Sequence, residues 1–171
     1  ANIKVINMFH LLKEQIADWT NIHEIDTYLM RMLDKKAYDQ TGLIYGLGHA
    51  VYTMSDPRAV ELKRLAGELA KEKGRVEEYE FLKLIEQEGI KCLMVRGRTK
   101  PACANLDFYS GFIYEMIGLP QEIYTPIFAM ARIVGWTAHR IEELNFESRR
   151  IIRPAYKNIQ DSKEYTPLAD R

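Results

Sequence analysis

The sequence predicts an all-α fold, and three observations carry that expectation. Apolar residues recur at spacings of three and four along successive segments, which places them on single helix faces. Capping and stop residues punctuate those segments where helices should begin and end. No stretch sustains the alternation of a half-buried strand beyond short pieces. The chain has 171 residues, enough for one domain or one and a half.

The elements follow in order. Ile3, Ile6, Phe9, Leu12, Ile16 and Trp19 form one apolar stripe, predicting a helix over 2–19. It has no preceding cap, so the sequence reads as cut from something longer. Asn21 with Glu24 makes a capping-box-like start to a second helix reaching about Lys35, with Ile22, Ile25, Leu29 and Met32 on one face. Tyr38 to Gly42 is a turn cluster, and Leu43 to Tyr52 is a short apolar stretch interrupted by Gly46 and Gly48. Ser55-Asp56-Pro57 starts a third helix, with a capping side chain and Pro in the first turn, and Gly74 stops it. A fourth spans 76–88, with Val76, Tyr79, Leu82 and Ile85 inward and Gly89 at its end. After a basic connector, Arg96 to Pro101, a fifth spans 103–117 and ends at Gly118. The last, over 122–144, is apolar or small at nearly every position from Pro126 to Ala138, which predicts burial on all sides by a missing half or a partner subunit. Residues 157–171 read as an extended tail.

Composition excludes several classes. A hydrophobic content of 47% is too high for a disordered chain. Twenty-four Lys+Arg balance 24 Asp+Glu, which argues against a general nucleic-acid binder or an anionic-membrane binder. No apolar run approaches the ~18 residues of a membrane span. Cys92 and Cys103 fit no metal or redox spacing, so they read as reduced packing residues of a cytoplasmic protein, and no metal site is expected.

Several residues have chemistry to offer. His49 follows two glycines that permit close backbone approach, and it reads either as a structural histidine or as a hydrogen-bonding and proton-transfer group. Arg58 lies in the first turn of a helix, where an anion, not a cation, is favoured; it is either a solvated surface residue or half of an anion site. Asp107 either complements a helix dipole or is a partly desolvated base among aromatic neighbours. Arg132 interrupts the apolar last helix and requires a salt bridge or an anionic ligand if buried. His139 reads as a structural histidine. Arg149, Arg150 and Arg153 are either a solvated cluster or, fixed by Pro154, a reach toward a neighbouring subunit.

In combination these segments resemble citrate synthase. The matching stretches are Gly-Leu-Gly-His-Ala-Val-Tyr at 46–52, Asp-Pro-Arg at 56–58, Ala-Asn-Leu-Asp-Phe-Tyr-Ser-Gly at 104–111, Pro-Ile-Phe-Ala-Met-Ala-Arg-Ile-Val-Gly-Trp-Thr-Ala-His at 126–139, and Arg-Ile-Ile-Arg-Pro at 150–154. The resemblance implies a homodimeric transferase of the tricarboxylic acid cycle that condenses acetyl-CoA, a co-substrate and not a resident cofactor, with oxaloacetate to give citrate and CoA. It implies a small helical domain over 1–118, and a long helix and tail over 119–171 that return to a large domain. By the same resemblance His49 bonds the oxaloacetate keto oxygen, Arg58 and Arg132 bind its carboxylates, and Asp107 removes the acetyl methyl proton. Arg153 would reach the partner's site, and Gly46, Leu47 and Gly48 would lie near CoA. Thr53 stands where many relatives have a basic residue for a CoA phosphate, which leaves Arg96, Arg98 or Lys100 as substitutes. The family's enolate-stabilising His, in a His-Gly-Gly-Ala-Asn-like segment, has no match in a sequence that opens at Ala1-Asn2, so this chain is expected to be inactive alone. A 2-methylcitrate synthase using propionyl-CoA and a non-catalytic binding or assembly module are the rival readings.

Overall fold

The computed structural model describes residues 1–146, 161, 164 and 166–170. Among them are six α-helices and no strand, with one isolated antiparallel bridge between Leu47 and Ala104. The all-α expectation is met. The helices are α1 (Asn2–Gln15), α2 (Ile22–Leu33), α3 (Pro57–Glu72), α4 (Val76–Val95), α5 (Leu106–Met116) and α6 (Tyr124–Leu144). A 3-10 turn at Gln121–Ile123 leads into α6. The chain divides into two compact units, Ala1–Ala131 and Arg132–Arg171, with the division inside α6.

In the first unit, α5 packs against both α1 and α3, and α2 packs against α4. Phe9, Phe81, Phe108, Tyr109 and Phe112 are fully buried and form the aromatic centre. Phe9 meets Phe112 edge-on at 5.7 Å, a favoured geometry for two aromatic quadrupoles. α1 ends at Gln15, four residues before the sequence places its end, because Ile16 is extended and the amides of Ala17 and Asp18 donate to the Glu24 carboxylate at 2.8 and 3.2 Å. Trp19 therefore leaves the helix and stacks on Phe81 at 5.2 Å. Asn21 caps α2 through its side-chain oxygen, while Glu24 reaches back past it to those two amides, so the capping box is not closed.

Two other boundaries move for a physical reason. α4 does not stop at Gly89 but runs on to Val95. A Cβ on Gly89 would sit 2.6 Å from Leu47 Cδ1, so the glycine admits the loop that carries Leu47 and is not a helix terminator. At the start of α4, Val76 is 40% exposed, not inward. α5 starts at Leu106, since Ala104 is engaged by the bridge and Asn105 is the cap. Asp56 caps α3 with Pro57 in the first turn, and Gly74 follows its end at a φ of 67°, as the sequence predicts.

α6 departs most from expectation. Only Tyr124 is buried, whereas Val134 is 77% and Trp136 57% exposed. Cys92 and Cys103 are both free and buried.

Candidate active site

The site in the first unit is built around a loop that three glycines allow to fold tightly. Gly42, Gly46 and Gly48 all take positive φ. At Gly46, a Cβ would fall 2.7 Å from the Phe108 ring and 3.0 Å from Val5, so the loop can lie directly on α5. Four hydrogen bonds and contacts then fasten it to the segment before α5. Gly48 N–H donates to the Cys103 carbonyl at 2.7 Å, Asn105 N–H to the Gly46 carbonyl at 2.8 Å, and Asn105 Nδ2 to the Gly48 carbonyl at 2.9 Å. The Cys103 thiol contacts the Tyr52 carbonyl. The glycines' space is thus occupied by the protein itself, by Phe108 at Gly46 and by the Arg98 guanidinium at Gly48.

His49 stands at the end of this loop, half-buried. The amides of Val51 and Tyr52 donate to its Nδ1 at 3.0 and 3.1 Å. An Nδ1 that accepts two N–H groups carries no proton, so the neutral ring holds its hydrogen on Nε2. That Nε2 lies 3.4 Å from an Arg58 terminal nitrogen. Both groups are donors, so one acceptor beside the pair could take a hydrogen bond from each. Tyr52 forms the wall behind: its ring is 4.8 Å from His49 and 5.5 Å from the Arg58 guanidinium.

Arg58 is held by Asp56. The Asp56 side chain is fully buried and accepts from Arg58 N–H and Nε at 3.0 Å and from its terminal nitrogen at 2.9 Å. Hydrogen bonding from Arg58 holds the Asp56 carboxyl below its ordinary range despite burial. The cation's odd position at a helix start is resolved by this fork, because one carboxylate serves as both helix cap and arginine clamp.

Asp107 opens α5, with its amide bonded to Asn105 Oδ1 at 3.0 Å. Among the described residues nothing donates a hydrogen bond to its carboxylate. Burial pushes that carboxyl above its ordinary value, offset only in part by the Arg58 guanidinium. It borders a cleft of roughly 160 Å³, lined also by Asn2, Ser110, Tyr114, Tyr124 and Phe128. A raised, unpartnered carboxylate beside a small half-apolar cleft has the character of a general base.

The first unit therefore brings His49, Arg58 and Asp107 into one electrostatic neighbourhood. Arg132 belongs to the second unit. It is exposed and makes no ion pair among the described residues, so the buried charge expected there is not found. His139 is likewise exposed, not a packed structural residue. Arg149, Arg150 and Arg153 lie outside the described residues. In the basic connector, Arg96 pairs with Asp34, while Arg98 covers Gly48. Sequence reasoning missed the clamp at Asp56, the wall at Tyr52 and the double bond of Asn105. The first had a signal, since a capping carboxylate two residues before an Arg can serve both.

The first unit thus places two donors, on His49 and Arg58, and the desolvated Asp107 carboxylate on an all-helical frame. The family described as citrate synthase, C-terminal domain, matches residues 1–155, and the chain belongs to the citrate synthase family. It is 35% identical over 172 residues to citrate synthase of Synechocystis sp., covering 100% of this chain and 39% of that relative. It is 36% identical over 141 residues to 2-methylcitrate synthase 1 of Corynebacterium glutamicum, covering 80% of this chain and 34% of the relative. Among solved structures, it resembles the ternary complex of carboxymethyl coenzyme A and oxaloacetate with citrate synthase from the archaeon Thermoplasma acidophilum. There the TM-score is 0.56 at 34% identity, over 90% of this chain and 41% of that one. The chain thus spans about two fifths of the length of such relatives. Among the described residues no helix is long and apolar enough to cross a membrane.

Proposed function

We propose that this chain forms the oxaloacetate-binding and proton-abstracting half of a citrate synthase. The single observation that carries the reading is the pair of donors, His49 Nε2 and an Arg58 terminal nitrogen, 3.4 Å apart and close enough to share one acceptor beside them. Oxaloacetate supplies what they require: a keto oxygen for the imidazole and a carboxylate for the guanidinium. Its second carboxylate is assigned to Arg132, and Arg153 is assigned to the partner's site of a homodimer. Binding of the dianion would place the keto carbon, polarised by His49, within reach of an enolate generated from acetyl-CoA. Asp107 takes the methyl proton as the thioester becomes an enolate; the enolate carbon attacks the keto carbon, the C=O π pair moves to oxygen and takes the His49 Nε2 proton, and water then cleaves the citryl thioester to citrate and CoA. The backbone at Gly46, Leu47 and Gly48 would run along CoA. Arg98, poised over Gly48, is the best placed of the connector cations for a phosphate, because Arg96 is committed to Asp34.

Domains at 1–118 and 119–171 and a cytoplasmic location complete this reading. The acyl group is taken as acetyl, although the likeness to a 2-methylcitrate synthase keeps propionyl-CoA as the second reading; one methylene discriminates by only about 1–3 kcal/mol. Calorimetry with oxaloacetate tests the site. We expect a binding heat that weakens about tenfold to a hundredfold in Arg58→Ala, the loss of charge-assisted hydrogen bonds worth about 1.5–3 kcal/mol. Equal heats in the wild type and Arg58→Ala would overturn it and favour a non-catalytic module. Little CoA release is expected from the chain alone, since its sequence has no counterpart of the enolate-stabilising His and a carboxylate needs that donor to ionise a thioester methyl.

A further inference from the structure

We infer that Asn105 is a positioning residue that holds His49 and Asp107 in one frame, an assignment that rests on the function proposed above. Its side chain is bonded at both ends with opposite polarity. Oδ1 accepts the Asp107 N–H at 3.0 Å, and Nδ2 donates to the Gly48 carbonyl at 2.9 Å. Its own N–H donates to the Gly46 carbonyl at 2.8 Å. One residue thus touches the peptide that precedes the imidazole and the amide of the carboxylate-bearing residue.

Helix capping demands less than this. Asp56 caps α3 with carboxylate oxygen alone, and any of Ser, Thr or Asp can cap a helix. Only a primary amide offers an acceptor at one atom and a donor at its neighbour. The donor end is what the cap leaves unexplained, and it is aimed at Gly48. The His49 ring is otherwise held by amides of its own loop, Val51 and Tyr52, with the Tyr52 ring and Arg58 beside it. If the Gly48 carbonyl is released, the peptide between Gly48 and His49 is free to turn at a glycine, and the ring turns with it. The Nδ1 contacts that set the tautomer, and the approach of Nε2 to Arg58, then loosen together.

Asn105→Ser and Asn105→Asp each keep a capping oxygen and remove the amide donor, Asp because a carboxylate only accepts and Ser because its single, shorter hydroxyl offers no donor at a second atom. Long-range proton–nitrogen correlation spectra of the chain labelled at histidine nitrogen read the His49 tautomer, with its signal identified in His49→Gln. The wild type is expected to hold the proton on Nε2. In both variants the signal should move toward a tautomer mixture while helix content by circular dichroism stays unchanged. Oxaloacetate binding by calorimetry should weaken about fivefold to tenfold, as for one neutral hydrogen bond. A His49 signal identical to the wild type in either folded variant overturns the assignment, whatever the oxaloacetate heat. If the wild type gives no oxaloacetate heat, the proposed function fails, and the tautomer signal still decides the role of Asn105.

Discussion

At Asp107, the proposed role and stability pull in opposite directions. Its carboxyl is raised above its ordinary value chiefly because burial penalises the charged form. The folded state therefore binds this proton more tightly than the unfolded chain does. Stability from this group is highest at low pH and is lost as pH rises through the raised value. Asp107→Asn should melt at a higher temperature than the wild type at neutral pH, with the difference vanishing in acid. On the proposed reading of Asp107 as the base, the same change should lower kcat of an enzyme that includes this chain by about a hundredfold to ten-thousandfold, the usual contribution of a general base. Thermal melts across pH with CoA-release rates test both; a variant less stable at neutral pH would contradict the desolvation account. The thiols are placid by comparison, since burial is the first cause that pushes Cys92 up to about 11.

At the scale of elements, the clearest lesson is α4. Gly89→Ala adds helix propensity of about 1 kcal/mol, yet its methyl would meet Leu47 Cδ1 at 2.6 Å. The substitution should therefore be less favourable in the wild type than in a Leu47→Ala background, where the obstructing atom is gone. A double-mutant cycle by urea unfolding that shows no coupling would refute the contact. This is also where the sequence proved hardest to read. Asn21 and Asp56 announce their helices because a cap acts on the residues immediately after it. Gly89 looks like a terminator because its partner is on another segment, and α1 is overrun because Glu24 draws amides from across a turn. His49, Arg58 and Asp107 stood out by residue type, but the bond that ties the loop to α5 spans a separation of 57 residues and has no local signature. α6 reads as apolar all round, and its exposed Ile133, Val134 and Trp136 should make the chain self-associate as concentration rises. Light scattering that returns a constant monomer mass would contradict that.

For the molecule as a whole, acid sensitivity has a definable source. Arg75 and Lys13 bind the Glu78 carboxylate, and Arg75 also binds Glu115, which bonds His10 in turn. Hydrogen bonding from Arg75 is the main reason that the Glu78 carboxyl falls from 4.5 to about 2. Its contribution is fully present above the ordinary value and is lost as pH falls from 4.5 toward 2. Glu78→Gln should flatten the fall of the urea midpoint over that window; an unchanged profile would place the acid sensitivity elsewhere. The bridge between Leu47 and Ala104 has a different kind of consequence, in the order of events during folding. Helices such as α3 and α4 close short loops and can form early, whereas this bridge joins segments that lie on either side of both. A refolding chain would regain most of its helix signal before the imidazole and the carboxylate meet. The site that the proposed function needs should then be a late product of folding, completed only when the segments around Leu47 and Ala104 come together.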